Sequence, residues 1–241
     1  MKCINITIIK NNYRENKIVM NIKNKIKIMI VDDHPIVRHG IIRIIESENR
    51  FSACCEAENK SEAVEKISEC MPDLIIVDIS LGDGSGIELI KDIKVKYPEI
   101  KMIVLSVYDE FLYAERVIRA GAMGYIKKTE ACDNIIFAIK KVLSGGLYLN
   151  EKTKDRLIHK IFNKKAQTEN SVIDQLSDRE LEIFQFLTKG CKTKDIAEKI
   201  NLSINTINTH YLHIKKKLNL KGHNELIQYA NSWSHDNKNM L

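Results

Sequence analysis

Five residues in the first half of the chain could together handle a phosphoryl group: Asp32, Asp33, Asp78, Ser106 and Lys128. Three carboxylates gathered at one place make a cation site. A hard divalent ion such as Mg2+ prefers oxygen ligands and keeps several waters. Such an ion neutralises the repulsion between a carboxylate nucleophile and an incoming phosphoryl group. The remaining needs are a hydroxyl donor and a fixed positive charge for the phosphoryl oxygens. Ser106 and Lys128 are the residue types that meet them. Singly, each has a plainer reading, with Asp32-Asp33 as a helix cap and Lys128 as a solvated charge. The chemistry requires that the fold bring all five together.

The elements that would position them alternate regularly. Mainly apolar runs at Ile26–Val31, Leu74–Val77, Met102–Leu105 and Met123–Ile126 read as strands, and Phe51–Ala57 reads as another, second in order. Helical patterns follow each, from Pro35, over Ser61–Met71, Gly86–Tyr97, Glu110–Ala120 and Ala131–Ser144. Strands without polar alternation are buried on both faces, as in a parallel sheet covered by helices. Functional residues of such sheets lie at the carboxyl ends of the strands. Asp32-Asp33 follow the first strand, Asp78 the third, Ser106 the fourth and Lys127-Lys128 the fifth.

These residues and spacings resemble the receiver domain of two-component response regulators. Asp78 stands 45 positions after Asp33, Ser106 28 after Asp78, and Lys128 22 after Ser106. The segment from Gly121 through Tyr125 to Lys128 follows the usual end of the fifth strand and selects Lys128 over Lys127. The resemblance covers about 26–147. It implies a doubly wound five-stranded parallel sheet of the flavodoxin-like kind, with Asp78 accepting a phosphoryl group from a sensor histidine kinase. It further implies that Asp33, Asp78 and the backbone carbonyl of Ser80 hold Mg2+, that Asp32 helps through water, and that Ser106 and Tyr125 form a switch pair. Such a domain is no enzyme beyond promoting its own phosphotransfer and dephosphorylation. Gly82 departs from the proline common in the loop after the phosphoacceptor, so a more mobile loop is expected there.

A second module reads from 176 to 233. Ser177-Asp178-Arg179-Glu180 is a capping box, with Leu176 and Leu181 placed as a hydrophobic staple. Helices are expected to about Lys189, over Thr193–Ile200, over Ile204–Leu218 and over Asn224–Ser232, giving a small all-α four-helix unit. In the third, Ile204, Ile207, Tyr211, Ile214 and Leu218 make one apolar stripe, leaving Asn205, Asn208, Thr209, Leu212 and Lys216 opposite. A short helix, a tight turn and this helix make a helix-turn-helix, whose second helix can enter the major groove of double-stranded DNA. Asn can bind adenine bidentately, and Thr or Leu can touch a thymine methyl. Lys192, Lys194, Lys215 and Lys221 could meet phosphates. On spacing alone, a helical module for protein contacts is the lesser alternative. The stretches Leu176–Glu180, Lys194–Ala197, Leu202-Ser203 and Thr206–His210 resemble the LuxR/NarL output domain. That implies transcription control by a homodimer joined through the last helix, with RNA polymerase a further partner.

Charge supports two modules. Residues 26–147 carry a net −4 and 174–241 a net +2, and the overall charge is +6. Residues 1–25 read as a polar extension, 148–175 as a linker with a short helix at 152–162, and 234–241 as a tail. No run of about 18 apolar residues suggests a membrane span, so a cytoplasmic protein is expected. The six cysteines lack zinc spacing and are expected reduced.

Two other functions use similar residues. A haloacid-dehalogenase-type phosphatase also uses Mg2+ and an Asp nucleophile, but it wants that nucleophile on the first strand and a second Asp where Ser80 stands. A phosphorylation-independent DNA-binding regulator would keep the acidic pocket for structure only.

Overall fold

The computed structural model of the chain describes residues 25–82, 84–162 and 172–238. The extension before Lys25, part of the linker and the last three residues lie outside them. The five strands are β1 (Ile26–Val31), β2 (Phe51–Ala57), β3 (Leu74–Val77), β4 (Lys101–Ser106) and β5 (Gly124–Lys127). They form one parallel sheet in the order β2-β1-β3-β4-β5. The fifth strand starts one residue later than its apolar run suggested.

The helices between them are α1 (Pro35–Glu46), α2 (Lys60–Cys70), α3 (Gly86–Lys96), α4 (Glu110–Ala120) and α5 (Ala131–Leu143). The period of two along each strand sorts the core into two layers. Met29, Val31, Ile75, Val77, Met102 and Val104 pack with α2, α3 and α4. Ile28, Ile30, Leu74, Ile76, Ile103 and Leu105 pack with α1 and α5 on the other face. The central strand β3 is accordingly apolar and buried along its whole length, because both its faces are covered.

Tyr148 extends the pairing beyond β5. Its N–H donates to Met123 O and its carbonyl accepts from Tyr125 N, each at 2.9 Å. α6 (Glu151–Phe162) then docks on α4. The guanidinium of Arg156 lies 3.6 Å above the Phe111 ring and also donates to the Phe111 carbonyl.

The C-terminal unit holds α7 (Asp178–Thr188), α8 (Thr193–Lys199), α9 (Ile204–Lys217) and α10 (His223–Lys238). Ser177 and Glu180 make the expected reciprocal cap, worth about 1 kcal/mol. Leu176 and Leu181 are both buried. Asn201 takes the left-handed conformation, φ 50°, that turns the chain from α8 into α9. Ile207, Tyr211, Ile214 and Leu218 are buried as the stripe required. Ile204 is not: at the first turn of α9 it is 47% exposed.

The cysteines also depart from expectation. The sulfurs of Cys55 on β2 and Cys70 at the end of α2 are brought into contact, a pairing their sequence spacing did not suggest. Cys54, Cys132 and Cys191 are free.

Candidate phosphoacceptor site and DNA-reading face

The sheet brings the five chemistry-bearing residues to one edge. β1 and β3 are neighbours and end level, with Val31 paired to Val77, so Asp32 and Asp78 emerge side by side. The side chains of both are almost fully buried, and Lys128, just past β5, is 9% exposed. Its Nζ lies 2.6 Å from Asp78 Oδ2 and 2.7 Å from Asp32 Oδ2. One ammonium thus holds two carboxylates together. Burial, and then the charge of Asp32, push the Asp78 carboxyl up to about 7 although Lys128 pulls it down. Burial works against the Lys128 ammonium, yet the two aspartates hold it above the usual lysine range.

Asp33 is more exposed and points to the same pocket. His34 joins it, with Nδ1 2.6 Å from Asp33 Oδ1 and 3.1 Å from Asp32 Oδ1. Sequence reasoning did not single out His34; its place directly after the acidic pair was the available signal. Oxygen atoms of Asp32, Asp33 and Asp78 and a nitrogen of His34 lie within 4.8 Å of one another. Asp32 Oδ2 and Asp33 Oδ1 are buried and each meets one ion-pair partner, Lys128 and His34 respectively. A cluster of carboxylate oxygens with spare lone pairs fits a hard divalent cation.

Ser106 is fully buried at the end of β4, and its Oγ accepts from Tyr108 N at 3.2 Å. Tyr125 is turned inward, with its hydroxyl donating to Tyr108 O at 2.9 Å. Both expected switch residues therefore meet at Tyr108, which the sequence reading passed over. Gly86 was passed over too. A Cβ there would collide with the carbonyl oxygen of Asp78 and lie 2.9 Å from its carbonyl carbon, so only glycine lets α3 start this close.

Ser80 pairs with Ser85 and Leu81 with Gly84 in a short antiparallel ladder that ties together the two sides of the loop. The Ser80 hydroxyl leaves the pocket and donates to Glu182 Oε1 on α7 at 2.6 Å. The Tyr108 hydroxyl donates to the same oxygen, also at 2.6 Å. Arg179 Nη1 donates to the other oxygen, Glu182 Oε2, at 2.6 Å. Nearby, Arg116 on α4 donates to the carbonyls of Ile173 and Leu176 and pairs with Asp178. The C-terminal unit thus rests on the edge of the sheet that carries Asp78.

The reading face of α9 is left open by this contact. Asn205, Asn208, Thr209, Leu212 and Lys216 are exposed. Thr209 also bonds its own helix, through Oγ1 to Asn205 O at 3.1 Å. Lys192, Lys194 and Lys221 are exposed and Lys215 is half-buried, all within the same unit.

A five-stranded receiver edge joined to a helix-turn-helix defines a class, and comparison with known proteins agrees. Residues 28–140 match the response regulator receiver domain, and residues 174–230 match the bacterial regulatory proteins of the luxR family. The chain belongs to the two-component response regulators with a LuxR-type DNA-binding domain. Among its relatives is the oxygen regulatory protein NreC of Staphylococcus carnosus, 37% identical over 85% of this chain and 96% of that one. NreC of Staphylococcus aureus is 36% identical over the same shares. Among solved structures, the RcsB response regulator of Salmonella typhimurium superposes with a TM-score of 0.60 at 27% identity, covering 87% of this chain and 98% of that one. RcsB of Salmonella enterica serovar Typhimurium bound to promoter rprA with the phosphomimetic BeF3- gives a TM-score of 0.56 at 27% identity, over 86% and 98% of the chains. Among the described residues no helix is long and apolar enough to cross a membrane.

Proposed function

We propose that Asp78 is the phosphoacceptor of this regulator. A carboxylate oxygen of Asp78 attacks the phosphorus of a phosphohistidine on a sensor kinase, the P–N bond breaks, and an acyl phosphate forms. The observation that carries this is the ammonium of Lys128 fixed between Asp78 and Asp32 at 2.6 and 2.7 Å. It stands where the phosphoryl oxygens would arrive. Asp33, Asp78 and the Ser80 carbonyl would hold Mg2+, with Asp32 acting through water; the ion, when bound, offsets the negative charge of nucleophile and phosphate. Ser106 would turn its hydroxyl to the phosphoryl group, and Tyr125 would follow it.

The signal then has a short route to the output domain. Ser80 lies two residues after Asp78, Tyr108 two after Ser106, and both end on Glu182. Phosphorylation shifts the two loops and so loosens or re-seats α7. The released module binds double-stranded DNA through α9 as a homodimer joined by α10, in the cytoplasm, where RNA polymerase is within reach.

Incubation with Mg2+ and acetyl phosphate tests the first step. An acid-stable, hydroxylamine-labile phosphate is expected on the wild type and not on Asp78→Ala. Equal label on both would sink it. The open face of α9 supports a second reading, DNA binding without phosphorylation. Unchanged DNA affinity on adding beryllofluoride would favour that reading.

A further inference from the structure

The receiver carries a cluster of three sulfurs that phosphoryl chemistry does not use. Where β2 pairs with β1, Ile28 faces Ala53 and Met29 faces Cys55, which leaves Cys54 without a partner. This is a β-bulge, with two residues of one strand opposing one of the other. Consecutive side chains of a regular strand leave opposite faces. Here the sulfurs of Cys54 and Cys55 lie 3.7 Å apart.

The third sulfur belongs to Cys70, the last residue of α2. Met71, in the left-handed conformation at φ 44°, ends the helix there. Lys27 Nζ donates to the Cys70 carbonyl at 3.1 Å and fastens the helix end to β1. The Cα atoms of Cys55 and Cys70 are 6.5 Å apart, inside the roughly 4.4–6.8 Å that a disulfide spans without backbone movement. All three cysteines are half-buried on the outermost strand and its covering helix, so a small reagent reaches them.

We propose that Cys55 and Cys70 form a reversible thiol–disulfide site, oxidised by hydroperoxides and reduced by small dithiols, with Cys54 as the adjacent thiol. One thiolate attacks a peroxide oxygen; the O–O bond breaks, leaving a sulfenic acid and releasing an alcohol or water. The second thiol attacks the sulfenic sulfur; the S–O bond breaks, the S–S bond forms, and the hydroxyl leaves as water with the thiol proton. Two thiols are oxidised for each peroxide reduced. A dithiol reverses this by two exchange steps and is itself oxidised to its disulfide.

The position gives the bond a consequence. Cys55 adjoins Glu56, whose carboxylate takes Arg38 Nε at 3.0 Å, and Arg38 Nη1 donates to the carbonyl of Asp32 at 2.7 Å. The disulfide therefore stiffens the corner that holds the first aspartate of the acidic pocket.

The test uses the full chain, reduced and then treated with one equivalent of hydrogen peroxide. Loss of two of the six thiols is expected. Peptide masses should map the bond to Cys55 and Cys70. The receiver's melting midpoint should rise by about 5–10 °C, since the bridge closes a loop in the unfolded chain. Dithiothreitol should restore all three readings. Cys54→Ser should keep the bond and the rise, and Cys55→Ser should lose both. Six thiols left intact, a bond mapped to other cysteines or between molecules, or an unmoved midpoint would overturn the proposal. So would tight binding of one Zn2+ that protects the reduced cluster from peroxide, which would make it a metal site instead.

Discussion

Ser80 and Glu182, 102 positions apart in sequence, share a hydrogen bond of 2.6 Å between the loop after Asp78 and the first helix of the output domain. Glu182 is 4% exposed, so its charge is desolvated and depends on the three donors around it: Ser80, Tyr108 and Arg179. Hydrogen bonds to a buried charge are stronger than neutral ones, and removing the acceptor strands its donors.

Removing that acceptor should separate the domains. Glu182→Ala is expected to cost about 1–3 kcal/mol of interdomain packing. In the unphosphorylated chain, DNA affinity should then rise by about tenfold, toward that of the beryllofluoride form, since about 1.4 kcal/mol is a factor of ten. Fluorescence anisotropy on an oligonucleotide selected in vitro reads this. An unchanged gap between the two forms would mean the contact carries no signal.

Gly86 should tolerate no side chain. Gly86→Ala sets a methyl group against the Asp78 carbonyl, and α3 must shift to admit it. Overpacking of this kind costs about 1–3 kcal/mol. A lower urea midpoint is expected together with slower labelling of Asp78 by acetyl phosphate. A control, Gly145→Ala, has open space around its Cβ but a φ of 88°, so it should lower the midpoint without affecting the label.

The acidic pocket should make the receiver pH-dependent in a stated direction. Asp78 sits near 7 in the fold against an ordinary 3.8, so the native state binds the extra proton. Without a cation, stability should be greatest below about 4 on this account and fall as the pH rises through 7. Added Mg2+ competes with that proton. Its affinity should therefore climb by up to about tenfold per pH unit below 7 and level off above it. Thermal melts at several pH values, with and without Mg2+, check both slopes. Asp78→Asn should flatten them.

On the output domain, contacts of two kinds should separate. Lys194→Ala is expected to weaken binding to all sequences and to lower the slope of log affinity against log salt by about 1. Asn208→Ala should leave that slope alone and cost about 1–3 kcal/mol at one base pair only. Salt-dependent binding to matched and mismatched duplexes distinguishes them. Equal behaviour of the two variants would remove Asn208 from the reading face.

Much of this was legible from local patterns. A strand buried on both faces is apolar between the layers, and it ends where polar side chains gather into a site of their own. That is why Asp32, Asp78 and Ser106 announced the sheet edge. The capping box at Ser177 and Glu180 and the stripe from Ile207 to Leu218 are likewise short-range, set by the helical period and by the unpaired amides at a helix start. Other features depend on atoms that the chain brings together only by folding. Gly86 reads as one more glycine until the Asp78 carbonyl is placed against it. Cys54 and Cys55 look like neighbours on opposite faces until a bulge turns both sulfurs one way and α2 delivers Cys70. The meeting of Ser80 and Tyr108 on Glu182 has no local sequence signal at all. Spacing along the chain encodes periodicity within an element, so the sequence determined the elements and the residues at their ends. Which ends face a second domain is decided by packing between surfaces far apart in sequence, and that only the tertiary structure shows.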